Sequence, residues 1–268
     1  MAKILVIRFS DLGDVARTIP MVYSLAVRCP QHQITVLSKD DFAPLFERMP
    51  DNVLFRGIDL RGEYAGLMGL GWLYRDLKEE QFDAVADLQD SLRSRYLRWR
   101  FRMNGATTAY RSRKSDKDYA DVLQEAGFEV CPVFVSLFGN GKGDIRSLHP
   151  LTGSKGTDRW IGIAPFPPHT GKPRLTDEQK EEMEQLAARL QGKLLLFGNG
   201  RKEAALLEKW AKKLPNAICM AGKLTMRTEL ALMSHLDEMW CANPVYMQLA
   251  ALVNVPCYAM ETKTQAAQ

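Results

Sequence analysis

The sequence predicts an α/β protein built of two doubly wound, mostly parallel halves in tandem. Three observations carry this. Short apolar runs alternate with helix-periodic segments along the chain. Turn-forming residues punctuate them. The alternation is broken once, by the glycine-rich clusters Gly139-Asn140-Gly141-Lys142-Gly143 and Gly153-Ser154-Lys155-Gly156, and then resumes. A boundary is therefore expected near residue 155, with one domain over 1–155, another over 156–268, and a cleft between two lobes. At 268 residues the chain is long enough for both.

The elements follow in order. Lys3–Arg8 reads as the first strand, and a helix runs from about Asp14 to Arg28 with Val15, Ile19, Val22 and Ala26 on one face. Pro20 kinks it or restarts it near Thr18. Strands are expected at Gln33–Leu37, Asn52–Phe55 and Ala84–Leu88, and helices at Asp41–Arg48 and Leu67–Glu80. In the second half, strands are expected at Trp160–Pro165, Lys193–Phe197, Asn216–Met220, Glu238–Cys241 and Val255–Ala259. Helices fill the gaps, the first opened by the capping box Thr176-Asp177-Glu178-Gln179.

Composition excludes several classes. A net charge of +4 is by itself too small to imply nucleic acid, and no apolar stretch is long enough to span a bilayer. The first apolar run is too short for a signal peptide. Five scattered cysteines, never in a Cys-x-x-Cys pair, point to reduced, mostly buried thiols and a cytoplasmic protein. The four histidines have no metal-ligand spacing, so no metal site is expected.

The turn after the first strand, Arg8-Phe9-Ser10-Asp11-Leu12-Gly13-Asp14-Val15, lies where α/β folds put ligands. It has one glycine rather than three, and the Asp14 carboxylate would repel a pyrophosphate, so it is not a dinucleotide fingerprint. Asp14 reads either as a general base or as a helix N-terminal carboxylate stabilised by about 0.3–1 kcal/mol through the macrodipole. Gly171-Lys172, after the strand at 160–165, offers a compact cation suited to a diphosphate, or a solvated loop lysine, without the spacing of a P-loop. Phe197-Gly198-Asn199-Gly200 leads into a helix carrying Glu203 and would let a ligand approach backbone N–H groups, unless the glycine serves packing. Over 91–117, Leu92, Tyr96, Trp99 and Met103 recur at helical spacing, with Arg93, Arg95, Arg98, Arg100 and Arg102 over the rest. This is a solvated basic helix or a contact for an anionic partner: a phosphorylated lipid, a membrane surface or nucleic acid.

Together these pieces resemble glycosyltransferase family 9, the ADP-heptose:lipopolysaccharide heptosyltransferases. The opening Lys3–Val15 with Thr18-Ile19-Pro20 is similar to the family's start, and Trp160–Pro165 through Gly171-Lys172 to its donor-phosphate loop. Leu195–Gly198, Glu203, Ala221-Gly222-Lys223, Leu230–Met233 and Met247–Leu252 follow its nucleotide lobe in order. The resemblance implies a GT-B-like fold, two Rossmann-like domains facing across a cleft. It implies inverting transfer of a heptose-like sugar from a nucleotide-sugar, ADP-linked, with no metal or other cofactor. The acceptor implied is a lipopolysaccharide-core or related phosphorylated glycolipid, met at the inner membrane face. Asp14 is then the catalytic base. Lys172, Gly198, Glu203, Gly222, Lys223, Asn243 and Gln248 are donor-binding, and Ser10, Gly13, Arg93, Arg98 and Arg102 acceptor-binding.

The chain departs from the family at one turn. Where members carry Asp-Ser/Thr-Gly and then a histidine, it has Asn243, Pro244, Val245 and Gln248. It also ends at Gln268, where members continue with further helices. The alternative expectation is therefore a non-catalytic relative that binds nucleotide or glycan.

Overall fold

A computed structural model describes residues 1–112, 117–167, 176–189, 192–214 and 216–260. It divides into two compact units, Met1–Phe134 and Val135–Gln268. In the first, β1 (Lys3–Ile7), α1 (Leu12–Ala16), α2 (Ile19–Arg28), β2 (Gln33–Lys39), β3 (Val53–Ile58), α3 (Gly66–Lys78), β4 (Ala84–Asp87), α4 (Leu92–Met103), β5 (Thr107–Tyr110) and α5 (Tyr119–Glu125) follow in order. A 3₁₀ turn at Asp40–Leu45 holds Pro44. The sheet order is β3-β2-β1-β4-β5, all parallel. The order reverses between β1 and β4, so the crevice for a ligand opens at their carboxyl ends.

The expected break in the first helix is real. The Thr18 hydroxyl donates to the Val15 carbonyl at 2.7 Å, and the chain restarts as α2 with Pro20 in its first turn. There the missing N–H leaves no ladder bond unmade. Ile4, Leu5, Val6 and Ile7 are all fully buried because helices cover both faces of the sheet. Leu5 and Ile7 belong to a cluster with Leu70, Leu73, Leu97 and Phe101, which seats α3 and α4. Truncating a fully buried ring such as Phe101 to alanine typically costs about 3–5 kcal/mol.

The second unit runs α6 (His149–Thr152), β6 (Arg159–Ala164), α7 (Asp177–Arg189), β7 (Gly192–Leu196), α8 (Gly200–Ala211), β8 (Ala217–Cys219), α9 (Met226–Met233), β9 (Glu238–Cys241), α10 (Pro244–Leu252) and β10 (Cys257–Ala259). Its parallel sheet, β10-β9-β6-β7-β8, repeats the order of the first and reverses between β6 and β9.

The boundary precedes the one expected near residue 155, because the glycine-rich stretch packs onto the second unit. Leu137 N–H donates to the Leu252 carbonyl at 2.8 Å, and Gly143 N–H to Ser234 Oγ at 2.9 Å. A Cβ on Gly143 would stand 2.4 Å from Ala231 Cα, so this glycine serves close approach to α9 rather than a linker. The thiols also depart from expectation: all five are free, but only Cys219 and Cys241 are buried, and Cys131 is exposed.

Candidate functional site

In the first unit the site grows from the end of β1. Asp11 caps α1 by accepting the Asp14 N–H at 3.2 Å, which fixes Asp14 in the first helical turn. Its carboxylate, about one-third exposed, meets Arg8 at 2.7 Å. Arg8 also donates to the Leu88 carbonyl, packs against the Tyr119 ring, and keeps a buried Nε with no protein hydrogen-bond partner. A cation closing a buried strand holds the candidate base in one orientation. Sequence reasoning gave Arg8 no role, although a charge ending so apolar a run was the available signal. Gly13 is buried in α1. Ser10 has a buried hydroxyl without a partner, and its carbonyl accepts from Lys39 Nζ at 3.0 Å.

The turn after β4 lies beside it, tied on by Phe9 N–H donating to Gln89 Oε1 at 3.1 Å. Asp87, fully buried, accepts N–H bonds from Gln89 and Asp90 at 3.0 and 2.9 Å and a guanidinium N–H from Arg98 at 2.8 Å. Burial pushes its pKa up, against the pull of the two amides and the arginine. Asp90, in the left-handed region at φ 50°, receives both Nε and Nη2 of Arg95 and one nitrogen of Arg98. Those bonds, the Arg95 pair foremost, hold its carboxyl below the usual range.

Arg98 therefore does not present itself to an acceptor. It closes a buried network with Asp87 and Asp90 and lies over the Tyr110 ring, its guanidinium 3.8 Å from the centroid. Arg93 and Arg102 are exposed.

A cleft of about 970 Å³ opens at the carboxyl ends of β1 to β4. Phe9, Ile58 and Leu60 give it apolar wall, while Lys39, Asp59, Arg61, Asp90 and Arg93 give it charge of both signs. The walls thus offer apolar surface beside charged groups of both signs. The structure brings Arg93 to this cleft; Asp14, Ser10 and Gly13 stand at the β1–α1 turn rather than in its wall.

In the second unit, the Thr176–Gln179 capping box forms as expected, with N–H bonds of 2.9 and 3.2 Å, and Gln179 donates its side-chain N–H to the Pro165 carbonyl. Gly171 and Lys172 fall outside the described residues. Glu203 is buried on α8 and accepts the Asn199 N–H, so its carboxylate caps the turn it was expected to offer to a ligand. Gly198 is a packing glycine: a Cβ there would stand 3.0 Å from Glu203 Oε2 and 2.9 Å from Leu207. Gly222, at φ 74°, and Lys223 line a shallow pocket of about 430 Å³ with Gly200, Arg201 and Ala204, and Lys223 pairs with Glu208 at 3.0 Å.

The turn at the β6–β9 reversal is the divergent one. Asn243 caps α10, its Oδ1 accepting the Val245 N–H at 2.9 Å. Pro244 has no N–H, so two of the amides this helix end could show an anion are gone. Gln248 is partly buried farther along α10 and does not line the pocket of Gly222 and Lys223. Beneath the turn, the Tyr246 hydroxyl donates to Glu229 at 3.0 Å, and burial pushes Glu229 up to about 7. Among the described residues no group of three or more His, Cys, Asp or Glu could hold a metal ion, and no helix is long and apolar enough to cross a membrane.

No family model and no curated protein matches the chain in sequence. Solved structures match it in fold. A glycosyl transferase family 9 protein from Veillonella parvula aligns at a TM-score of 0.73 and 18% identity, over 96% of this chain and 80% of its own. The E. coli ADP-heptose lps heptosyltransferase II gives the same score and identity, over 96% and 84%. E. coli heptosyltransferase WaaC, solved with ADP-2-deoxy-2-fluoro heptose, gives 0.72 and 13%, over 99% and 90%. The chain has their α/β fold, and the family resemblance read from its motifs is matched by these neighbours. At such identities the likeness establishes architecture alone.

Proposed function

We propose that this protein is an inverting glycosyltransferase that moves a heptose-like sugar from an ADP-sugar to a phosphorylated glycolipid acceptor of the lipopolysaccharide-core type. The observation that supports it best is Asp14, fixed by the Asp11 cap and the Arg8 pair at the carboxyl end of β1, in a fold shared with heptosyltransferases. Asp14 takes the proton from an acceptor hydroxyl as that oxygen attacks the anomeric carbon. The new carbon–oxygen bond forms while the bond to the diphosphate breaks, and ADP leaves with the electron pair. General-base help of this kind is worth ~10²–10⁴ in rate. Lys172 is assigned to the departing diphosphate by resemblance, with Gly222 and Lys223 toward the nucleoside. The cleft above β1 to β4 is assigned to the acceptor, with Arg93, which lines it, for its phosphates; Arg102, near the far end of α4, does not line it. The setting is cytoplasmic, at the inner membrane face, with no metal and no nucleic acid involved.

A second reading, a nucleotide- or glycan-binding relative without turnover, is favoured by one observation: Asn243 and Pro244 remove amides from the α10 terminus. A calorimetric titration with ADP, paired with a transfer assay on wild type and Asp14→Asn, separates the two. Wild-type turnover lost in Asp14→Asn, with ADP affinity kept, supports the enzyme. ADP binding without turnover supports the second reading, and turnover retained in Asp14→Asn removes Asp14 as the base.

A further inference from the structure

We propose that the outward face of α3 and α4 is a docking surface for an anionic lipid bilayer. This deepens the transferase reading and rests on it for its purpose, which is to bring a lipid-linked acceptor to the cleft.

Helix α4 is apolar on both sides. Leu97 and Phe101 are buried against the sheet, with Ser94. Leu92, Tyr96, Trp99 and Met103, at spacings of four, three and four, occupy the opposite face. Leu92 is 85% exposed, Met103 73% and Trp99 54%. Helix α3 packs alongside: the Tyr74 hydroxyl reaches the Arg100 carbonyl at 3.5 Å, and the Tyr96 hydroxyl lies 4.0 Å from where a Cβ on Gly71 would be. It adds Leu67, Met68 and Trp72, each roughly half exposed or more. Single exposed apolar residues are ordinary on a soluble protein, but six large ones on two neighbouring helices form a patch with a use.

Charge selects the occupant. Helix α4 carries five arginines and no acidic residue, whereas the end of α3 is mixed, with Arg75 3.9 Å from Asp76, so the cationic charge of this face comes from α4. The arginines flank the apolar stripe on both sides, Arg93 and Arg100 on one and Arg95 and Arg102 on the other. Arg100 lies 4.4 Å over the Tyr74 ring, and Arg95 is held by Asp90, so the rows are anchored at the stripe's edges. An apolar stripe containing tryptophan between cationic rows matches the acyl–headgroup boundary of an anionic membrane. A second copy of this chain would set two arginine-rich helices against each other. The stripe is continuous with the cleft: Leu92 and Arg93, which open α4, also line the cleft.

The test uses the whole protein and vesicles of phosphatidylcholine with and without phosphatidylglycerol, carrying neither donor nor acceptor. Wild type should sediment with the anionic vesicles, bind less as salt rises, and show tryptophan quenching by brominated lipid. The double variant Trp99→Ser, Met103→Ser should bind at least about tenfold more weakly, because apolar insertion adds to the charge attraction. Its melting temperature should be unchanged, since both side chains are exposed. Trp72→Phe should keep binding and lose part of the quenching. Absence of vesicle binding at low salt overturns the proposal. So does binding unaffected by the double variant, or a concentration-dependent dimer that the same changes abolish. Transfer to a soluble acceptor fragment reports on the transferase reading separately: it depends on Asp14 and not on Trp99 or Met103.

Discussion

Glu229→Gln should stabilise the second unit above neutral pH and leave it nearly unchanged in acid. Glu229 sits on α9 with its carboxyl against the buried Tyr246 hydroxyl of α10, and burial raises its pKa from 4.5 to about 7. A carboxyl whose folded pKa exceeds its unfolded value binds protons more readily in the fold. Its contribution is therefore intact below about 4.5, declines as pH rises toward 7, and is flat above. At about 1.4 kcal/mol per unit the full shift is worth roughly 3 kcal/mol. The residue keeps part of its surface in water, so about 2 kcal/mol is the expected effect. Glutamine keeps an acceptor for Tyr246 and cannot ionise, so the variant should gain that amount on wild type between pH 5 and pH 8. Denaturant unfolding followed by fluorescence measures it, in a Trp72→Phe, Trp99→Phe background where the remaining tryptophans all lie in the second unit. A difference between variant and wild type that does not change with pH would refute the reasoning. It would mean that the carboxyl is solvated, or that Tyr246 holds it ionised.

Arg98→Ala should destabilise the first unit by about 3–5 kcal/mol, since it strands the fully buried Asp87 carboxylate. The loss should shrink at low pH, where Asp87, already raised by burial, takes a proton; a loss under 1 kcal/mol in denaturation at pH 8 would show that the pair is not structural. Lys172→Ala should weaken ADP binding by roughly 1.5–3 kcal/mol in calorimetry, the range for a hydrogen bond to a charged group, and leave adenosine binding unchanged. Equal losses for both ligands would assign this lysine to structure rather than to phosphate. The combined variant Asn243→Asp, Pro244→Ser, Val245→Gly, Gln248→His should bind ADP more tightly, because it restores an amide at Pro244 and clears the Val245 side chain from the α10 terminus. The changes belong together because neighbouring sites couple; a folded variant with unchanged affinity would remove this turn from the donor site.

Much of the fold was legible because strands buried on both faces read as continuous apolar runs, and proline marked where α2 restarts. What sequence could not show has physical causes. Strand β5, Thr107-Thr108-Ala109-Tyr110, is short, polar and at the sheet edge, so no apolar run announces it. Gly139–Gly143 has the composition of a linker, but only the approach of Gly143 to α9 reveals that it packs. The candidate base was visible in Asp14, whereas its orientation depends on Arg8, whose partner lies six residues on, across a turn of unknown shape. Helix α4 is the sharpest case. Periodicity gives the phase of an apolar stripe, but here two phases compete half a turn apart. Phe101 meets the rings of Tyr74 and Phe82 edge-on at 5.1 and 5.7 Å, and Arg98 on the same side finds two carboxylates. Those contacts fix the inner face against the sheet and the turn after β4. The stripe with the stronger periodic signal, Leu92 to Met103, is thus left outside. Arginines that looked like one anion-binding set divide accordingly: Arg95 and Arg98 hold the turn after β4, while Arg93 and Arg102 remain at the surface to meet a negative charge.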